Sequence, residues 1–131
     1  MYKITCFTFL KLKMSINIRV RLQVEWIHQR EWCPLKEVEF LKDKHRHIFH
    51  IEATKEVSHG DRDIEIIMFK RNIEDYLYDK YYEDDSRVCF FRNMSCEMIA
   101  TELINQFDLK SCEVMEDWEV GSLVTKQLKC Q

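Results

Sequence analysis

Residues 15–28 read SINIRVRLQVEWIH, and residues 45–53 read HRHIFHIEA. In the first stretch Ile16, Ile18, Val20, Leu22, Val24 and Trp26 fall on even positions, with Asn17, Arg19, Arg21, Gln23 and Glu25 between them. A period of two over that length marks a β-strand with one face buried. His28 is the next residue of the buried face. In the second stretch His45, His47, Phe49, Ile51 and Ala53 alternate with Arg46, Ile48, His50 and Glu52. This is a second strand, and its mostly apolar face begins with two histidines. His50 falls on the other face and is expected at the surface.

Residues 29–44 contain Pro34 and mixed charges and read as a long connection. If the two strands pair antiparallel across it, His28, His45 and His47 meet at one end of the sheet. Residues two apart on a strand project to the same side, so His45 and His47 share a face. Three neutral imidazoles with an open fourth position are the donor set of a catalytic zinc site. The open position can polarise an oxygen or activate water. An isolated H-x-H at a strand end is more often a surface pair than a ligand set. The third histidine, on the matching face, weights the pattern toward Zn2+.

The rest of the chain reads as helices and short strands. Ser58-His59-Gly60-Asp61 is a turn, and Ile66, Phe69, Ile73 and Leu77 then recur near helical spacing within Ile64 to Tyr82. Residues 83–87 form a polar break and Val88 to Phe91 a short apolar piece. Ser95 is placed as an N-cap with Glu97 in the first turn, followed by the stripe Ile99, Leu103, Ile104 and Phe107. Cys112 and Val114 alternate with Glu113 and Met115 in a further strand, Glu116 continues the Cys112/Val114 face, and Ser122 to Leu128 finishes the sheet. Strand, strand, helix, helix, strand is an α+β layout.

Composition sets the outer bounds. A chain of 131 residues with 46% hydrophobic and 12% aromatic residues fits one domain with a real core. The net charge is only -3, so no basic excess marks a nucleic-acid footprint, and nucleic acid is disfavoured as a partner. Six cysteines, Cys6, Cys33, Cys89, Cys96, Cys112 and Cys130, stand singly without a C-x-x-C pair. They read as reduced core thiols in a cytoplasm, with a disulfide framework as the minority reading. Residues 1–13 are apolar but interrupted by Lys3, Lys11 and Lys13, too short for a membrane span. They read as an N-terminal extension before a single domain over 14–131. No membrane partner is expected.

Taken together, these residues resemble the 6-pyruvoyltetrahydropterin synthase and 6-carboxytetrahydropterin synthase family. That family's first strand ends in a histidine, as Val24-Glu25-Trp26-Ile27-His28 does here. A loop leads to an H-G-H, matched by His45-Arg46-His47. A helix opens with a T-x-E-like turn, matched by Ser95-Cys96-Glu97, and a late strand carries V-x-V-x-E-T, matched by Cys112-Glu113-Val114-Met115-Glu116-Asp117. Order and approximate spacing agree over residues 16–125. The resemblance implies a tunnel fold (T-fold): an antiparallel sheet with two helices on one face, forming a barrel as a homo-oligomer with sites at subunit interfaces. It implies zinc on His28, His45 and His47, with Glu116 and Glu97 binding substrate. Glu116 would grip the N–C–N edge of a pterin or purine-like ring, since a carboxylate accepts two parallel N–H bonds from such an edge.

The implied activity is a zinc-dependent lyase acting on a dihydroneopterin triphosphate-type substrate, in a tetrahydropterin or 7-deazaguanine (queuosine) route. Three positions depart from the family. Its cysteine, four residues before the H-G-H, is Leu41 here; its L-D-H segment is Tyr78-Asp79-Lys80; and the middle glycine of H-G-H is Arg46. The pattern is similar to divergent, phage-encoded synthase-like branches. Acid–base work then falls to Cys33, His59, Asp61 or Asp79. The competing function is a non-catalytic module that sequesters a pterin, purine or nucleotide. For the group Ser58 to Glu65 the competing reading is helix capping, with Asp63 as the cap. For Tyr76, Tyr78, Tyr81 and Tyr82, subunit packing is the commoner use and base stacking the alternative.

Overall fold

In the computed structural model, β1 (Ile16–His28) and β2 (His45–Val57) pair antiparallel along their whole length. The structure describes residues 14–82 and 88–129. The expected extension at 1–13, the polar break at 83–87, Cys6 and Cys130 lie outside those residues. Val20 faces Ala53, Leu22 faces Ile51 and Val24 faces Phe49, all buried. A slip of one residue would turn this whole set outward. Each of these side chains larger than alanine contributes about 1.5–3 kcal/mol by its burial. The core therefore fixes the register at the far end of the ladder, where His28 pairs with His45 and Trp26 with His47.

Helix α1 (Ile66–Tyr81) packs over β1, and helix α2 (Cys96–Phe107) over β4 (Ser111–Glu116) and β5 (Val120–Thr125). Phe69, Ile73 and Leu77 of α1 and Ile99, Leu103 and Ile104 of α2 join Trp26, Phe49 and Val114 in one core. Ser95 caps α2 by accepting from the Met98 N–H, as its sequence position indicates. The cap of α1 differs from expectation. Glu65 accepts from the Ile67 and Met68 amides, while Asp63 accepts from both the amide and hydroxyl of Ser58. Asp63 is thus committed to the preceding turn, and the helix begins two residues later than Ile64.

The five-stranded sheet has the order β3-β1-β2-β4-β5, with β3 being Cys89–Arg92. This departs from an all-antiparallel sheet, because β3 runs parallel to β1, pairing Trp26 with Cys89 and Ile27 with Phe90. A short 3-10 helix, Lys36–Lys42, occupies the connection between β1 and β2. β5 begins at Val120, two residues before Ser122. Among the described residues no helix is long and apolar enough to cross a membrane. Tyr76 and Tyr81, expected to pack between subunits or stack bases, are used inside the chain. Their hydroxyls donate to Glu102 of α2, which also takes Lys80, so this polar knot ties α1 to α2.

Candidate metal centre

The β1–β2 register brings the three histidines together at one end of the sheet. Ring centroids lie 4.3 Å apart for His28 and His45, 4.9 Å for His45 and His47, and 5.3 Å for His28 and His47. One ring nitrogen of each lies within 4.8 Å of the others. The Nε2 atoms of all three are buried and have no hydrogen-bond partner among the described residues.

The other ring nitrogens are engaged. His45 Nδ1 donates to the Asp43 carbonyl at 2.8 Å, and His47 Nδ1 donates to Asp117 Oδ2 at 2.6 Å. His28 is held by the Met94 backbone, although burial, the larger influence, keeps its pKa below the ordinary value. A carbonyl or carboxylate oxygen only accepts, so Nδ1 of His45 and His47 carries the proton and Nε2 keeps its lone pair. An unpartnered buried polar atom costs about 1–3 kcal/mol, and three of them converge here. An Nδ1-anchored imidazole with a free Nε2 is how metal-binding histidines are held. The donor set fits zinc.

Two consecutive residues at the end of β4 complete the surroundings. Phe49 of β2 pairs with Glu116, which points its carboxylate at the histidines. Oε1 is 3.5 Å from His28 Nε2, and Oε2 is 3.6 Å from His47 Nε2. Asp117 takes a left-handed conformation at φ 52, as does Trp118 at φ 62, so the chain reverses there into β5. Asp117 Oδ1 accepts from the Ile48 amide at 2.9 Å, so its two oxygens hold β2 and His47 together.

From the other side, the first residue of α2 reaches in. Cys96 Sγ donates to Glu116 Oε1 at 3.6 Å, and burial, aided by Glu116, pushes this thiol up to about 12. The thiol stays protonated and serves as a donor. A cleft of about 510 Å3 opens over the group, lined by His28, His45, Arg30, Leu41, Cys96 and Glu116, with Glu97 at its rim. Leu41 is thus in the cleft, where the resemblance would put a cysteine.

The other expected acid–base groups lie elsewhere in the chain. Cys33 is buried and donates to the carbonyls of Leu35 and Val38, outside the cleft. His59 sits beyond the opposite end of β2, roughly 40 Å of strand from His45, beside Asp63 at 3.7 Å. Asp61 is exposed and paired with Arg62, and Asp79 is exposed on α1. His50 corrects an expectation: it is only 8% exposed, because Trp118 stacks on its ring at 4.0 Å. Sequence reasoning did not select Cys96 or Asp117 as site residues. The signals were present: the residue after an N-cap, and the residue after the strand-ending Glu116.

The chain is thus an α+β domain carrying a three-histidine candidate metal centre. No protein-family model and no curated protein matches the sequence. Among solved structures it is similar to an uncharacterized protein from Wolinella succinogenes, with 13% identity over 88% of this chain and 100% of that one, at a TM-score of 0.59. At that identity the likeness concerns the fold alone.

Proposed function

We infer that this is a zinc-dependent, 6-pyruvoyl- or 6-carboxytetrahydropterin synthase-like protein with a tunnel fold, acting on a dihydroneopterin triphosphate-type substrate. The observation that carries the reading is the convergence of three buried, unpartnered Nε2 atoms near one carboxylate, beside a cleft that His28, His45 and Glu116 line. His28, His45 and His47 hold the zinc, which supplies Lewis acidity toward the substrate's side-chain hydroxyls. Glu116 recognises the N–C–N edge of the ring through paired N–H bonds. Glu97 at the rim adds a second carboxylate, and Arg30 offers charge to a phosphate. The sheet with both helices on one face supports a barrel built from several copies.

A second reading is favoured by Leu41. An aliphatic side chain lines the cleft where the resembling synthases carry a cysteine, and Cys96 is held protonated. Such a pocket would bind a pterin or purine without turning it over.

The two readings separate in one experiment. Zinc-loaded protein is incubated with 7,8-dihydroneopterin triphosphate, and its consumption is followed by chromatography alongside calorimetric binding. Consumption that is lost in Glu116→Ala supports the enzyme. Binding without consumption supports the binding module, and neither binding nor consumption overturns both.

A further inference from the structure

Trp118 is a bulky residue in a backbone conformation that suits glycine. Its φ is 62°, directly after Asp117 at 52°. A large side chain in the left-handed region is disfavoured and persists only where its surroundings hold it there. What holds Trp118 is His50: the two rings stack with centroids 4.0 Å apart and planes 27° apart. His50 is disfavoured in its own way, because its Nδ1 is buried with no hydrogen-bond partner among the described residues. Neither residue suits its place alone, and the stack is what the two share.

The stack lies one residue from the group that orients His47. The Asp117 side chain is 46% exposed, so burial does not fix it, and its direction depends on its backbone. The β2–β4 ladder ends at Glu116. Beyond it the turn is tied to β2 through Ile48: the Asp117 amide donates to the Ile48 carbonyl at 2.8 Å, and Oδ1 accepts the Ile48 amide. Glu119 N–H donates to the Glu116 carbonyl at 2.9 Å, which closes the turn on itself without tying it to β2. One backbone attachment allows the turn to pivot about Ile48. The stack on His50, farther along β2, is a second attachment off that axis, and two attachments fix an orientation.

We propose that His50 and Trp118 are positioning residues of the metal centre: their stack sets the left-handed turn that aims Asp117 at His47. Asp117 then keeps the proton on His47 Nδ1 and leaves Nε2 free toward His28 and His45. The stacking surfaces carry this role, and the buried His50 Nδ1 contributes nothing to it. The part of the proposal that concerns metal affinity rests on the metal reading above. The part that concerns the His47 tautomer does not.

The test reads the His47 tautomer by long-range proton–nitrogen NMR of the metal-free protein at about pH 8.5, above the ordinary imidazole pKa of about 6.5. Zinc affinity is measured beside it by competition with a chromophoric chelator. Wild-type His47 is expected as the Nδ1–H form. Trp118→Gly removes the ring while suiting the left-handed backbone, so it should fold. There, and in His50→Ala, the Nε2–H form should appear and zinc affinity should fall about two- to tenfold, the range of an aromatic pair. Trp118→Phe and His50→Phe keep a stacking ring and should keep both the tautomer and the affinity. Trp118→Gly and His50→Ala with wild-type tautomer and affinity, even if less stable, would reduce the stack to a surface cover and overturn the proposal. A wild-type His47 in the Nε2–H form overturns it without any variant. Failure of wild-type protein to take up zinc overturns the metal centre and the role of the stack in it, whereas uptake with an unmoved tautomer in the variants defeats the stack alone.

Discussion

The Nδ1 of His47 donates to Oδ2 of Asp117 across 2.6 Å, while Oδ1 of the same carboxylate accepts the Ile48 amide. The His47 bond, with the Ile48 amide behind it, holds the Asp117 carboxyl below the usual range. One side chain therefore fixes the ring orientation of a candidate ligand, makes its Nε2 a better electron donor, and pins the β4–β5 turn to β2. Asp117→Asn keeps an acceptor for Ile48 but removes the charge behind His47. Zinc affinity, measured by competition with a chromophoric chelator, should fall about 10–100-fold with the fold intact. An unchanged affinity would separate Asp117 from the metal site.

The β4–β5 hairpin depends on a close backbone approach at Gly121, which pairs with Met115. A Cβ there would lie 2.0 Å from the Val114 carbonyl oxygen and 2.6 Å from Met115 Cα. Neither neighbour is a flexible side-chain tip, so the strands must part. Gly121→Ala should destabilise the protein by at least about 2 kcal/mol in urea denaturation, in the range of overpacked sites. The same displacement moves Asp117, which anchors His47, so metal affinity should fall too. A variant as stable as wild type would mean that β5 is loosely held.

Glu102 offers a pH test of the helix–helix contact. Burial pushes its pKa up, but hydrogen bonds from Lys80, Tyr76 and Tyr81 outweigh that and leave it lowered. A carboxyl lowered on folding contributes stability that is fully present above its unfolded pKa, about 4.3. That contribution is lost as pH falls through the folded value. Glu102→Gln should therefore cost about 2 kcal/mol at neutral pH. The gap to wild type should close as the medium is acidified below that range. A gap that widens in acid would contradict this assignment.

How far the sequence could be read follows from which contacts are local. β1 and β2 were legible because each keeps a period of two over many residues with one buried face. Their end-to-end pairing then put His28, His45 and His47 together without further information. β3 has four residues, and its parallel pairing with the end of β1 is a long-range contact that no periodicity encodes. His50 looked exposed because it lies off the core face. Its cover, Trp118, arrives from a turn whose two positive-φ residues are Asp and Trp rather than the Asn-Gly or Gly-Gly that announce such turns. Cys96 stayed hidden for another reason. The cap at Ser95 was visible, but the direction in which α2 crosses the sheet, which brings the thiol to Glu116, was not.

That last point separates two cysteines. Cys33 follows the first histidine closely in sequence and was an expected acid–base group, yet its thiol is spent on the carbonyls of Leu35 and Val38. Cys96 lies farther along the chain and touches Glu116. Cys33→Ala should leave zinc affinity and 7,8-dihydroneopterin binding unchanged. Cys96→Ala removes one neutral donor from the carboxylate, worth about 0.5–1.5 kcal/mol, or about two- to tenfold in that binding. Isothermal titration of both variants compares them directly. A larger loss from Cys33→Ala would require the Cys33 thiol to leave the Leu35 and Val38 carbonyls and turn into the cleft that Arg30 and Leu41 already line.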